Sequence, residues 1–149
     1  LLVAFFHSRD RHVYRQDSFP PEDGYQIDAF LWHQGESDYA KSKDYYRNLK
    51  TMVAYVRMHL TEKTGKDYSR LPFIFGTVAR SNKYFSREVE NAMKQLAAED
   101  PNMHLIDMSG AELLNDRLHF TAHSAEYLDN RYISSWNKLL KELSSGLMN

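Results

Sequence analysis

Short apolar runs recur along the chain, and each is followed by a longer segment with the apolar spacing of a helix. The runs are IDAFLW at 27–32, LPFIFGTV at 71–78 and HLIDM at 104–108, and each has the length of a buried strand. Strands that alternate with helices through short connections run parallel and are joined by right-handed crossovers. The sequence therefore predicts an α/β fold, a three-layer parallel sheet flanked by helices.

The predicted helices have recognisable ends. The first runs from Ser42 to Glu62, and its apolar residues fall on one face. The second begins after Ser86, a residue type that caps helix amino termini, and stops at Pro101. The third carries an apolar stripe that ends before Gly146. Each helix can thus bury one face against the sheet.

Charge balance and the absence of cysteine exclude several classes of protein. The 149 residues, about the length of one domain, include 19 basic and 20 acidic side chains and no basic cluster. We therefore expect neither a nucleic acid nor a membrane as a partner. The chain has no cysteine, which excludes disulfides, thiolate metal sites and a cysteine nucleophile. Composition does not determine the compartment.

Polar segments follow all three predicted strands. They are HQGESD at 33–38, ARSN at 79–82 and SGAELLNDRLHF at 109–120. In open α/β sheets, ligands bind beyond the carboxyl ends of the strands. We therefore expect the functional residues in these three segments.

Asp116 and His119 lie three residues apart in the last of these segments. A histidine that acts as a general base needs a partner on its second ring nitrogen, and a nearby carboxylate can accept that hydrogen bond. The same spacing also suits an aspartate that caps a turn and a histidine that fills a half-buried position. Spacing alone leaves both interpretations open.

Three motifs in order resemble the SGNH-hydrolase superfamily, and within it the sialate O-acetylesterase and acetylxylan-esterase-like carbohydrate esterases. The motifs are WHQGESD at 32–38, DRLHF at 116–120 and YLDNRY at 127–132. The resemblance extends from about Ile27 to about Tyr132. It implies an SGNH/flavodoxin-like sheet and hydrolysis of O-acetyl esters on carbohydrate by a Ser-His-Asp mechanism that needs no cofactor.

Five residues match positions with roles in that family. The resemblance implies that the amide of Gln34 stabilises the oxyanion, that Gly35 lets the backbone pass close to substrate, and that Glu36 braces the loop. It likewise implies that Asp116 and His119 are the acid and base of the triad. Two alternatives stay open: Gln34 could cap the strand end, and Glu36 could be a solvated loop acid.

A metal site is a further alternative. His33 is not expected to share the pocket with Gln34, because neighbours in an extended strand point to opposite sides. The HExxH pattern that would support metal binding is absent from the sequence, so we predict no metal. The candidate ligands would be His33, Glu36, Asp38, Asp116, His119 and His123.

The nucleophilic serine of the resembled family has no match. That family carries it in a Gly-x-Ser-Asn-type motif after the first strand, and Ser8, Ser18, Ser37 and Ser81 all lie in other contexts. We therefore interpret residues 1–149 as a single domain, the carboxyl-terminal portion of an SGNH hydrolase domain that lacks its amino-terminal strand and helix. On that interpretation the chain alone is inactive.

A missing central strand would expose a sheet edge, so we expect self-association or a partner chain to cover it. The rival interpretation is a non-catalytic carbohydrate-binding or interaction module on the same scaffold. Export to the periplasm or the extracellular space is an expectation by analogy only. The sugar and the acyl group stay undetermined.

Overall fold

The computed structural model describes residues 2–7 and 26–144, and its strands form one sheet in the order β1-β2-β3-β4. Strands β2, β3 and β4 are parallel, which confirms the predicted parallel sheet for these three. Strand β1 pairs antiparallel with β2, so the four-stranded sheet is mixed. The strands are β1 (Leu2–His7), β2 (Gln26–Trp32), β3 (Phe73–Gly76) and β4 (Met103–Ile106).

The helices are α1 (Tyr45–Thr64), α2 (Arg87–Glu99) and α3 (Ala122–Ser144). Helix α1 begins later than predicted, because Glu36–Asp44 form a 3₁₀ helix that leads into it. Gly65 ends α1 in the left-handed conformation, with φ of 69°, where glycine carries no steric penalty. Among the described residues, no helix combines the length and the apolar character that crossing a membrane requires.

The amino terminus of α2 confirms the predicted cap. The Ser86 side chain accepts a hydrogen bond from the Val89 N–H at 3.4 Å and donates to Glu88 at 2.8 Å. The cap therefore gives a hydrogen-bond acceptor to one backbone N–H of the first turn, which has no partner within the helix. The cap sets where α2 leaves the loop that follows β3.

Helices cover both faces of the sheet, as expected for three layers. Alternate residues of a strand point to opposite faces, so Phe30 and Phe73 pack with α1 and α2 while Leu31 and Ile74 pack with α3. Helices α1 and α2 bury Leu49, Val53, Val89, Ala92, Met93 and Leu96 on the first face. Helix α3 buries Leu128 and Leu139 on the second.

Among the residues whose burial the structure describes, one charged side chain is buried, that of Glu90. The Glu90 side chain on α2 is only 1% exposed, and it lies 2.8 Å from both the Arg80 guanidinium and the Lys94 ammonium. Hydrogen bonds from Arg80 and then Lys94 outweigh the effect of burial and lower the pKa of Glu90. Arg80 follows β3, so this ion pair fixes the loop after β3 against α2.

Candidate active site

Asp116 and His119 lie in a tight turn between β4 and α3. The Asp116 Oδ1 accepts the backbone N–H groups of Leu118 at 2.9 Å and His119 at 3.1 Å. Its Oδ2 lies 2.6 Å from the His119 Nδ1. Within the turn, Arg117 adopts a positive φ of 55° and its N–H donates to the Leu114 carbonyl. Asp116 therefore both shapes the turn and holds the imidazole.

The charge state of Asp116 determines the tautomer of His119. The hydrogen bond with His119 and those from two backbone N–H groups lower the pKa of Asp116 to about 2. An ionised carboxylate can only accept, so the His119 Nδ1 carries a hydrogen, and in the neutral ring Nε2 is the nitrogen with the free lone pair. The His119 side chain is 71% exposed, and Nε2 has no hydrogen-bond partner within the described part of the chain. A proton on an incoming hydroxyl can therefore reach Nε2.

Gln34 lies two residues beyond the end of β2, and hydrogen bonds hold both its side chain and its backbone carbonyl. Its Nε2 donates to the Asp38 Oδ2 at 2.5 Å, and its backbone carbonyl accepts from the Tyr45 hydroxyl at 3.0 Å. The amide nitrogen carries two hydrogens, so one remains for another acceptor. No hydrogen bond joins Gln34 to Asp116 or His119 among residues 26–144.

Gly35 is buried where the segment after β2 crosses α2. A Cβ at this position would lie 2.7 Å from Val78 Cγ2, 3.1 Å from Val89 Cγ1 and 3.2 Å from Met93 Cε. Close packing against these side chains is a sufficient reason for glycine. The predicted approach of its backbone to substrate stays a prediction.

His33 and Glu36 lie in the segment after β2, which also carries Gln34, and His33 contacts the turn that holds Asp116 and His119. The His33 Nε2 lies 3.7 Å from the Glu36 Oε1, and burial lowers the pKa of His33 although Glu36 opposes the shift. The His33 and Phe120 rings lie 5.0 Å apart, centroid to centroid. The neighbour of Gln34 in sequence thus contacts the neighbour of His119, which brings the end of β2 against the turn before α3.

The loop after β3 also contacts the turn that holds Asp116 and His119. The Lys83 N–H donates to the Arg117 carbonyl at 3.0 Å, and the Asn82 amide donates to the Leu118 carbonyl at 3.3 Å. The Arg117 guanidinium in turn reaches the Ser81 carbonyl at 3.3 Å. Sequence reasoning marked ARSN as a polar segment at a strand end but gave neither Asn82 nor Arg117 a role. A polar residue that supports a loop through backbone contacts leaves no spacing signal.

A separate cavity of about 460 Å³ opens beyond the end of β4, and neither Asp116 nor His119 lines it. Of the candidate metal ligands named above, His123 lines this cavity and His119 does not. His119 precedes α3, where helical spacing does not apply. Among the described residues, no three His, Asp or Glu side chains lie close enough to hold one metal ion.

Comparisons with known proteins agree with this architecture. The family profile described as "Carbohydrate esterase, sialic acid-specific acetylesterase" matches residues 10–138. An Arabidopsis thaliana protein of known X-ray structure is 27% identical, with a TM-score of 0.64 over 76% of this chain. The match covers 45% of that plant protein. The comparison with curated proteins found no match.

The family match extends over most of the chain and includes both the segment after β2 and the turn before α3. The chain therefore belongs to the carbohydrate esterase, sialic acid-specific acetylesterase family.

Proposed function

We propose that the natural protein hydrolyses O-acetyl esters on carbohydrate, with His119 as general base, Asp116 as its orienting carboxylate and Gln34 as an oxyanion donor. Membership of the carbohydrate esterase family supports the reaction class. The observation that carries the assignment is the 2.6 Å contact between the Asp116 Oδ2 and the His119 Nδ1. It leaves Nε2 as the basic atom of an exposed ring.

In this mechanism a serine hydroxyl attacks the acetyl carbon while the His119 Nε2 takes its proton. The Asp116 carboxylate stabilises the imidazolium that forms. The second hydrogen of the Gln34 amide donates to the oxyanion of the tetrahedral intermediate. His119 then returns the proton to the sugar oxygen as it leaves, and water hydrolyses the acetyl-serine through a second cycle.

We further propose that the serine lies outside this chain and that the chain alone is inactive. Among the described residues, no serine hydroxyl hydrogen-bonds the His119 ring, and the Ser81 hydroxyl points to the Ala111 carbonyl at 3.5 Å. The test is labelling with a fluorophosphonate probe followed by peptide mapping. The natural full-length protein should be labelled at a serine absent from these 149 residues, and label on any serine within them would overturn the assignment.

The base is tested by His119→Ala, assayed in the natural protein on p-nitrophenyl acetate and on an acetylated saccharide. Loss of a triad histidine should lower kcat by at least about 10³-fold. His59→Ala is the matched control, because His59 is a partly exposed histidine on α1. Turnover of the His119→Ala protein within tenfold of the parent would refute the triad. An inactive parent would instead favour the non-catalytic carbohydrate-binding module.

A further inference from the structure

Two exposed tyrosines meet beside the candidate active site. Tyr39 is 52% exposed and Tyr84 is 43% exposed, although tyrosine normally buries much of its ring. Their ring centroids lie 6.2 Å apart with 52° between the planes. Tyr39 lies in the 3₁₀ helix after β2 and Tyr84 in the loop after β3, so the contact joins the segments that follow these two strands.

Each tyrosine follows a residue that hydrogen-bonds part of the candidate active site. Tyr39 directly follows Asp38, whose carboxylate accepts the hydrogen bond from the Gln34 amide. On the other side, Tyr84 directly follows Lys83, whose N–H donates to the Arg117 carbonyl in the turn that holds Asp116 and His119.

A second set of contacts fixes the backbone of Tyr84. Its N–H donates to the Asn82 Oδ1 at 2.9 Å, and Asn82 is itself only 5% exposed. The amide nitrogen of Asn82 donates to the Leu118 carbonyl. A buried asparagine therefore couples the position of this exposed ring to the turn before α3.

We propose that Tyr39 and Tyr84 form a platform that binds a pyranose ring of the substrate, an inference that rests on the proposed carbohydrate esterase function. A pyranose ring presents C–H groups on its faces, and an aromatic face carries the complementary negative charge. Two adjoining rings offer about the area of one sugar, far below what a stable protein interface needs. Trp32 does not serve this purpose, because it packs against the core beneath α1 and α2.

The Tyr39–Tyr84 platform predicts a difference between two kinds of ligand. A saccharide ring should contact the platform, whereas an ester without a sugar should not. Losing one aromatic stacking contact should weaken saccharide binding about five- to tenfold. Tyr55→Ala is the matched control, because Tyr55 is a 55% exposed tyrosine on α1 that stacks on His59.

The experiment measures saccharide affinity by isothermal titration calorimetry in the natural protein carrying His119→Ala, so that turnover does not interfere. The probes are an O-acetylated N-acetylneuraminic acid and an acetylated xylo-oligosaccharide. Tyr39→Ala and Tyr84→Ala should each raise the Kd of the saccharide that binds, and Tyr55→Ala should not. In the protein with His119 intact, Tyr55→Ala should hydrolyse p-nitrophenyl acetate within twofold of the parent.

Three results would overturn the proposal: unchanged affinity in both platform variants, an equal loss in Tyr55→Ala, or no binding of either saccharide to the parent. None of these results bears on the esterase function, because that function is tested by whether hydrolysis of p-nitrophenyl acetate depends on His119. Conversely, saccharide binding that depends on the platform in a protein without esterase activity would support the platform and refute the catalytic assignment.

Discussion

Replacing Gly35 with alanine tests whether the segment after β2 depends on close packing against α2. An added Cβ would lie 2.7 Å from Val78 Cγ2, well inside the distance of an ordinary carbon contact. Val78 and Val89 are stiff β-branched side chains that are 3% and 1% exposed, so they cannot rotate into solvent. Only Met93 has the flexibility to yield.

The expected cost lies at the upper end of the range for overpacking. Inserting a methyl group into a packed core destabilises by about 1–3 kcal/mol, and two rigid neighbours place Gly35→Ala near 2–3 kcal/mol. The backbone at Gly35, with φ of 159° and ψ of −25°, adds to the cost for any residue with a Cβ. For a protein of this size, the loss corresponds to a fall in Tm of roughly 5–10 °C.

Urea unfolding followed by circular dichroism measures this cost. Gly110→Ala is the matched control, because a Cβ there meets nothing within 4 Å, and it should change the free energy of unfolding by less than about 0.5 kcal/mol. Val78→Ala removes the nearest methyl group, so Gly35→Ala should cost at least about 1 kcal/mol less in that background. Equal stability of the Gly35→Ala and Gly110→Ala proteins, or strict additivity with Val78→Ala, would refute the reasoning.

Three further predictions follow from hydrogen bonds near the site and in the core. Asp116→Asn should lower kcat about 10⁴-fold by permitting the wrong His119 tautomer. Hydrogen bonds lower the pKa of Asp116 from 3.8 to about 2, so the parent should lose the stabilising contribution of this carboxylate as pH falls through that interval, and the variant should lose less stability there than the parent. Arg57 bonds the Leu71 carbonyl and, at 2.6 Å, Asp100, so chemical denaturation of Arg57→Met should show a loss of about 2 kcal/mol. Ser86→Ala removes the cap of α2 and should cost about 1 kcal/mol in the same assay.

Local patterns explain why much of the fold could be predicted from the sequence. The strand-and-helix alternation depends only on apolar spacing, and the cap at Ser86 depends on one side chain and the turn it begins. The 3₁₀ helix before α1 was missed because its residues are mostly polar and carry little periodicity. Leu140 is 40% exposed although Leu139 beside it is buried, so only part of the predicted apolar stripe of α3 is buried.

The antiparallel pairing of β1 could not be predicted from the pattern either. An apolar run predicts a strand but not its direction, which depends on how the chain connects it to its neighbour. We expected parallel strands because helices connect successive strands. Among the residues described, such helical connections join only β2, β3 and β4.

The two halves of the candidate site differ in how far sequence reasoning could reach. The Asp116–His119 pair is closed by hydrogen bonds within four residues, so its geometry follows from the residues of one turn. The position of Gln34 instead depends on Asp38 and Tyr45, which belong to the 3₁₀ helix and α1. The geometry around Gln34 therefore cannot be predicted without knowing the fold.

The loop after β3 links these halves, and its contribution is the part least visible in the sequence. Arg80 anchors the loop to a buried carboxylate on α2, Asn82 and Lys83 bond the turn that contains His119, and Tyr84 reaches Tyr39 across the opening. An amphipathic pattern would assign Glu90 to solvent, but two cations allow it to be buried. Because this loop contacts both the turn and Tyr39, we expect removal of the Glu90 carboxylate to disturb both the proposed base and the proposed sugar platform.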